Sequence, residues 1–247
     1  MGFLPNNDNS GPERDRKTGI FRLWEMLSRD FWDLFRAGFL ALLGCAPFLL
    51  GTVYSLSAHV LIYAPAAGLL GGAIAGPELC GLADTTLRGL RDEPGFWWHT
   101  YKRAWVRNAR SCLLPGALGG ALLSTQVFFL FHAGALGLNL AAGAGLAAGI
   151  LLVLALSLYL WPQLALMELP FLQLVKNSAL LFLGQLPRSV AALAIAAGYL
   201  GLSAQFYLFA LPLLPVINLW LPALPALFLI YPGINENFQI EDQLRGT

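Results

Sequence analysis

Three long stretches of this 247-residue chain carry no Asp, Glu, Lys or Arg: residues 37–77, 111–167 and 189–235. Each is roughly twice the ~20 apolar residues that one bilayer-spanning helix needs. Between them lie two charged islands, 78–110 and 168–188, the first dense and rich in aromatic residues. The spacing predicts an all-α, polytopic membrane protein with about six transmembrane helices in three hairpins and interfacial helices on the cytoplasmic side. Composition agrees, because only 12% of residues are charged, against ~25% in a soluble domain. So few charges cannot cover a soluble domain of this size, and lipid has to supply the remaining environment.

In chain order, residues 1–19 form a polar, Asn-, Asp-, Gly- and Pro-containing tail that is expected to be disordered. It lacks the basic–apolar–small pattern of a cleaved signal peptide. Residues 20–36 alternate aromatic and charged side chains, which suits an interfacial helix leading into the first span. Spans are expected near 37–56, 61–84, 112–131, 140–160, 189–210 and 219–232, all within one membrane domain, 20–232. Outer turns fall at 57–60 and 132–139, and 233–247 forms a cytoplasmic tail. Gly68, Gly72 and Gly76 repeat every four residues, as do Gly116 and Gly120, and Gly145 and Gly149. Such spacing allows close helix contact.

Charge orients the bundle. Arg14, Arg16, Lys17, Arg22, Arg29 and Arg36 precede the first span. Arg88, Arg91, Lys102, Arg103, Arg107 and Arg110 lie in the first island, Lys176 and Arg188 in the second, and Arg245 in the tail. With six spans all fifteen cations share one side. The positive-inside rule makes that side cytoplasmic, with both termini inside.

Within the first island a helix is expected from Glu93 or Pro94, with Asp92 as its cap and Pro94 in its first turn. At 100° per residue Trp97, Trp98, Tyr101, Trp105 and Asn108 share one arc, and Arg103, Arg107 and Arg110 lie opposite. The aromatic arc suits headgroups or the bundle; the basic arc suits cytoplasm, a partner protein or anionic lipid. Glu78 is ten residues before Arg88, about 15 Å along a helix, which makes Glu78 a candidate intramembrane acid. Asp84 is a second, spaced to pair with Arg88 on one face. The two islands also share a cation–Asn step before an apolar run, Arg107-Asn108 and Lys176-Asn177, which raises the possibility of a duplicated hairpin unit.

Enzyme constellations are absent from the sequence. His59, His99 and His132 are isolated, without HExxH or similar spacing, and no GxxxxGK[ST] phosphate loop occurs. Cys45, Cys80 and Cys112 show neither zinc nor disulfide spacing. No catalytic residue, metal or cofactor is therefore expected, and the grouped cations give no stripe for nucleic acid.

The segment Gly76-Pro77, then Leu87-Arg88 with Arg91-Asp92-Glu93-Pro94-Gly95-Phe96-Trp97-Trp98, then Tyr101-Lys102-Arg103 with Trp105 and Arg107-Asn108, resembles the signature of the YesL-like family of bacterial integral membrane proteins. Leu158 with Trp161-Pro162 and Ala165, Leu174 with Lys176-Asn177, and Phe31 to Arg36 are similar to its other conserved stretches. The likeness runs from about Phe31 to Pro232. The chain departs from it at Glu78, where a small residue is expected after Gly-Pro. The resemblance implies a bacterial plasma-membrane protein, without assigned activity, often associated with carbohydrate uptake by ABC-type importers. It marks Arg91, Asp92, Glu93, Asn108, Lys176 and Asn177 as candidates for structure or partner contact. The leading expectation is thus a non-enzymatic protein, accessory to carbohydrate uptake, that meets components of an ABC-type importer through its cytoplasmic face. Alternatives are an autonomous secondary transporter or channel for a small solute, and a membrane enzyme acting on a lipid-linked substrate.

Overall fold

The computed structural model describes residues 19–93 and 95–240. The disordered tail expected before residue 19, Pro94 and its place in a first helical turn, and the tail beyond Ile240 lie outside the described residues. The described residues form eight helices and no strand: α1 (Ile20–Ala58), α2 (Tyr63–Arg91), α3 (Trp97–Phe131), α4 (Leu140–Leu166), α5 (Phe171–Gly184), α6 (Leu186–Gln205), α7 (Tyr207–Leu213) and α8 (Trp220–Phe238). Five of them, α1, α2, α3, α4 and α6, are long and apolar enough to cross a membrane. Buried residues of α1–α6 and α8 join one apolar core. Much apolar surface stays outside it: almost none of α4's most apolar stretch is buried, and Leu140, Leu151 and Leu152 face outward.

Helix α2 is central because one of its faces is almost without side chains. Gly68, Gly72 and Gly76 meet the backbone of Gly120, Gly116 and Cys112 on α3 so closely that a Cβ at any of the three would strike a main-chain carbonyl. Ser124 continues the seam, its Oγ donating to the Ala64 carbonyl oxygen at 2.6 Å. On the other side Gly71 lies against Phe48 of α1, and Ala67 against Gly51. The regular small-residue spacing of α2 and α3 is therefore one internal interface. Gly145 has no neighbour within reach and Gly149 meets only Gln126, so the third glycine pair makes no such contact. Cys80 and Cys112, remote in sequence, are neighbours across α2 and α3 and remain free thiols.

Several expected boundaries are corrected. The interfacial helix and first span form one unbroken 39-residue helix, about 58 Å long at 1.5 Å per residue, with Pro47 inside it. α2 runs seven residues beyond the expected end at 84. Asp92 does not cap α3: it closes α2 in the left-handed conformation (φ 58°). α3 starts at Trp97, after an extended Phe96, and continues to Phe131 without a break between island and span. Chain reversals do fall near the two expected outer turns, and they touch: His59 Nδ1 and His132 Nε2 are 2.8 Å apart at the ends of α1 and α3. The two histidines that the sequence left isolated are therefore a hydrogen-bonded pair.

The last third departs furthest. The residues expected as a fifth span divide into α6 and α7 at Phe206, and the sixth is α8, which is not among the five span-length apolar helices. The connection from α6 to α8 does not sit beside the His59–His132 reversals. Tyr199 Oη donates to the Ile217 carbonyl (2.6 Å), Asn218 Nδ2 donates to the Phe35 carbonyl (3.3 Å), and Trp220 packs edge-on against Phe31. Phe35 is some two dozen residues from His59, about 36 Å along α1. From there α8 passes α2 and reaches Gln185, between α5 and α6, at Gly233. It continues as helix through Phe238, six residues past the expected end of the domain at 232. The two islands differ in build: α3 passes through its island as one 35-residue helix, whereas α5 stops after 14.

The glycine seam generates a direct expectation. Gly72→Val should lower the thermal stability of the detergent-solubilised protein by ~1–3 kcal/mol or abolish folding, because main chain cannot yield as a side chain does. Gly145→Ala, facing open space, should be neutral or stabilising by up to ~1 kcal/mol. Melting curves of the two variants check both signs.

Candidate functional site

The chemistry gathers where the N-terminal half of α1, the end of α2 and the start of α3 meet. Helix ends leave carbonyls unpaired and carry partial negative charge. At the end of α2 this is met by two arginines reaching across from α1. Arg22 donates to the Leu90 carbonyl at 3.4 Å and Arg29 to the Gly89 carbonyl at 2.9 Å. Both guanidiniums also pair with the Asp92 carboxylate. Gly89 leaves the room, with Met26 and Asp30 of α1 lying where its side chain would be.

A second layer lies on α2 itself. Arg88 Nε donates to Asp84 Oδ2 at 2.7 Å and its Nη1 to Glu93 Oε2 at 3.2 Å. Arg91 Nε donates to Glu93 Oε1 at 2.6 Å. Asp84, spaced in sequence to pair with Arg88, does so in a buried setting. Four arginines and three carboxylates thus form a clasp around the α2 terminus. Partial burial alone would push the Asp92 carboxyl up, but the hydrogen bonds and charges of Arg29 and Arg22 outweigh it and hold the group below the usual carboxylate range.

Glu78 forms a separate node. Its Oε2 accepts from the Tyr101 hydroxyl at 2.5 Å, its Oε1 from the Trp105 indole N–H at 2.9 Å, and its stem fills the space over Gly44 of α1. The acid therefore joins α1, α2 and α3, and both carboxylate oxygens have a donor. Asn108, on the same buried face of α3, lies beside Cys80. The aromatic arc read from the sequence holds for Tyr101 and Asn108, which are buried, and for Trp97, which is half-buried under the Arg36 guanidinium. Trp98 is exposed, and the Trp105 ring lies largely at the surface while its N–H turns inward.

On the opposite arc Arg103 and Arg110 are exposed. Arg107 is also exposed but committed, its Nη2 donating to the Ala165 carbonyl near the end of α4 at 2.8 Å. Lys176 is exposed on α5, away from the clasp, and Asn177 lines a cavity of about 420 Å³ with Gln185 and Glu236. The structure therefore unites Arg88, Arg91, Asp92, Glu93 and Asp84, places Glu78, Tyr101 and Trp105 beside them, and leaves Lys176 and Asn177 apart. Arg22 and Arg29 have local partners in Glu25 and Asp30, but nothing in the sequence marks their pairing with Asp92, or that of His59 with His132, because those partners lie more than sixty residues away. Among the described residues no cluster of three or more potential metal ligands occurs.

A groove of about 380 Å³ opens at the same end, lined by Asp33, Arg36, Phe96, Trp97 and Trp98. No family model, curated protein or solved structure matches this chain. The class it defines is an all-α protein with five helices long and apolar enough to cross a membrane.

Two measurements test the site. Asp92 contributes stability while ionised, so its contribution is complete above the ordinary carboxylate pKa of ~3.9 and disappears as pH falls through its lower, folded-state value. Wild type should melt above Asp92→Asn at pH 7, and the two curves should converge below pH ~4. At Glu78, alanine leaves two donors without an acceptor, at ~1–3 kcal/mol for each that is buried. Glutamine retains one acceptor oxygen, so Glu78→Ala should melt lower than Glu78→Gln.

Proposed function

We propose that this chain is a non-enzymatic, multi-pass protein of a bacterial plasma membrane, which uses a rigid three-helix projection on its cytoplasmic face to dock another protein. The observation that carries the reading is the surplus length of α1 and α3. A hydrocarbon core of ~30 Å needs ~20 helical residues; α1 has 39 and α3 has 35. The surplus turns are held together by the arginine–carboxylate clasp and the Glu78 node, with a cost in charged groups that lipid anchoring alone does not require. Their outer surface is aromatic: Trp24 and Trp32 of α1 are 69% and 64% exposed, and the Phe96–Trp98 groove lies on the same projection. Exposed aromatic rings beside a preformed groove are typical of protein docking surfaces.

The positive-inside rule puts this end in the cytoplasm, since Arg22, Arg29, Arg36, Arg88, Arg91, Lys102 and Arg103 all belong to it. Resemblance to the YesL-like family supports an importer of the ABC type, taking up carbohydrate, as the partner. The transporter reading rests on Glu78 and on the proline-broken sixth span; of these, a carboxyl with both oxygens bonded to Tyr101 and Trp105 suits a structural brace better.

Purification of the tagged protein in mild detergent from its native host should recover importer components. Trp24→Ala with Trp32→Ala should reduce that recovery at least tenfold without lowering the melting temperature. Recovery of the chain alone would contradict the reading, as would solute flux in proteoliposomes that Glu78→Gln abolishes.

A further inference from the structure

We propose that the outer flank of α3 is a binding site for the headgroup of an anionic phospholipid, held by Lys102, Arg103 and Arg110. This goes beyond the docking role above, which concerns the aromatic face of α1 and the groove beside it.

At 100° per residue, Lys102, Arg103, Val106 and Arg110 fall within one arc of about 100°, turned away from the buried Tyr101, Ala104 and Asn108. Every guanidinium in the clasp has a carboxylate partner, whereas no acid among the described residues pairs with these three cations. Arg107, on the edge of the arc, is occupied by the Ala165 carbonyl. Three exposed cations over little more than two turns leave a positive field that no acid among the described residues neutralises.

Their position selects the kind of anion. Val106, between Arg103 and Arg110, is 61% exposed, and Leu113 and Leu114 on the next turn are exposed as well. The helix surface therefore changes from cationic to apolar within one turn of Arg110. An amphiphile fits that change: phosphate against the cations, acyl chains along Val106, Leu113 and Leu114. The exposed Trp98 and Trp105 rings flank the arc, as aromatic residues do at headgroup depth. Arg103 and Arg110 are seven residues apart, about 10.5 Å along the axis, so their long side chains can converge on one phosphodiester from either side. A zwitterionic headgroup would bring its own cation into the same field and bind less well.

The test is native mass spectrometry of the purified full chain in neutral detergent, titrated with phosphatidylglycerol or phosphatidylcholine of matched acyl chains. Phosphatidylglycerol adducts should persist at about tenfold lower lipid concentration. Arg103→Gln with Arg110→Gln should weaken phosphatidylglycerol retention by more than tenfold, at about fivefold per cation removed, and leave phosphatidylcholine retention unchanged. The charge-preserving pair Arg103→Lys with Arg110→Lys should retain most of the binding, and Lys176→Gln, outside the arc, all of it. Equal retention of the two lipids, or no loss in a folded Gln variant, would overturn the assignment. So would displacement of the lipid by equimolar glycerol phosphate, which would mean a site for a free anion, or by a soluble poly-glutamate peptide, which would mean an acidic protein segment.

Discussion

In lipid there is little hydrophobic gain in bringing two helices together, since acyl chains are as apolar as leucine; association has to come from van der Waals contact and hydrogen bonds. Contact is greatest where backbones approach most closely, and that requires side chains to be missing. Gly68, Gly72 and Gly76 of α2 against Gly120, Gly116 and Cys112 of α3 satisfy this condition over two helical turns. The opposite side of α2 meets α1 through Gly71 and Ala67. Because α2 is thin on both sides, α1 and α3 can lie close enough for Arg22 and Arg29 to reach the α2 terminus, and for Tyr101 and Trp105 to reach Glu78. The polar contacts around the α2 terminus depend on the backbone contact farther along.

That dependence explains why the charges divide into two populations. Arg22 and Arg91 are largely buried, Arg88 is partly buried and Arg29 is more open, yet all four are committed to carboxylates, and Arg22 and Arg29 also to helix-end carbonyls, which offset the cost of desolvating a guanidinium. Lys102, Arg103 and Arg110 are on the side of α3 that no helix covers, and they remain open to whatever surrounds the protein. Glu78 follows the first pattern with opposite sign. Among the described residues no cation pairs with it; its two carboxyl oxygens accept from neutral donors, an indole N–H and a phenol O–H, at a point where three helices meet.

How much of this was legible in the sequence varies by interaction range. The uncharged tracts gave the helices of the first two hairpins, and the four-residue glycine spacing marked the faces that now touch. The Asp84–Arg88 pair followed from helical geometry, as did the division of α3 into a buried arc with Tyr101 and Asn108 and an exposed arc with Arg103 and Arg110. Asp92 was misread because an acid before Pro94 resembles a helix cap; the same residue closes α2 instead, where two arginines from α1 fix it. Nothing within a local window links Arg29 to Asp92 or His59 to His132, since those pairings exist only once the hairpins have docked.

The final third marks where periodicity stops being informative. An apolar tract of 189–235 is long enough for two crossings, but length says nothing of direction when prolines recur at 212, 215, 222, 225 and 232. Each removes a backbone donor and permits a bend, and the chain divides at Phe206 and again before Trp220. Side chains brace the segment between the helices: Tyr199 donates to the Ile217 carbonyl, and Asn218 donates to the Phe35 and Pro215 carbonyls while accepting from the Trp220 N–H. Buried Asn218 thus ties the start of α8 to α1 and draws the α6–α8 connection towards Phe35, far from the reversals at His59 and His132. The same tie places Trp220 on Phe31, beside the stacked Phe35. The aromatic cluster of Phe31 and Phe35 is in this way backed by the segment whose course the sequence left least determined.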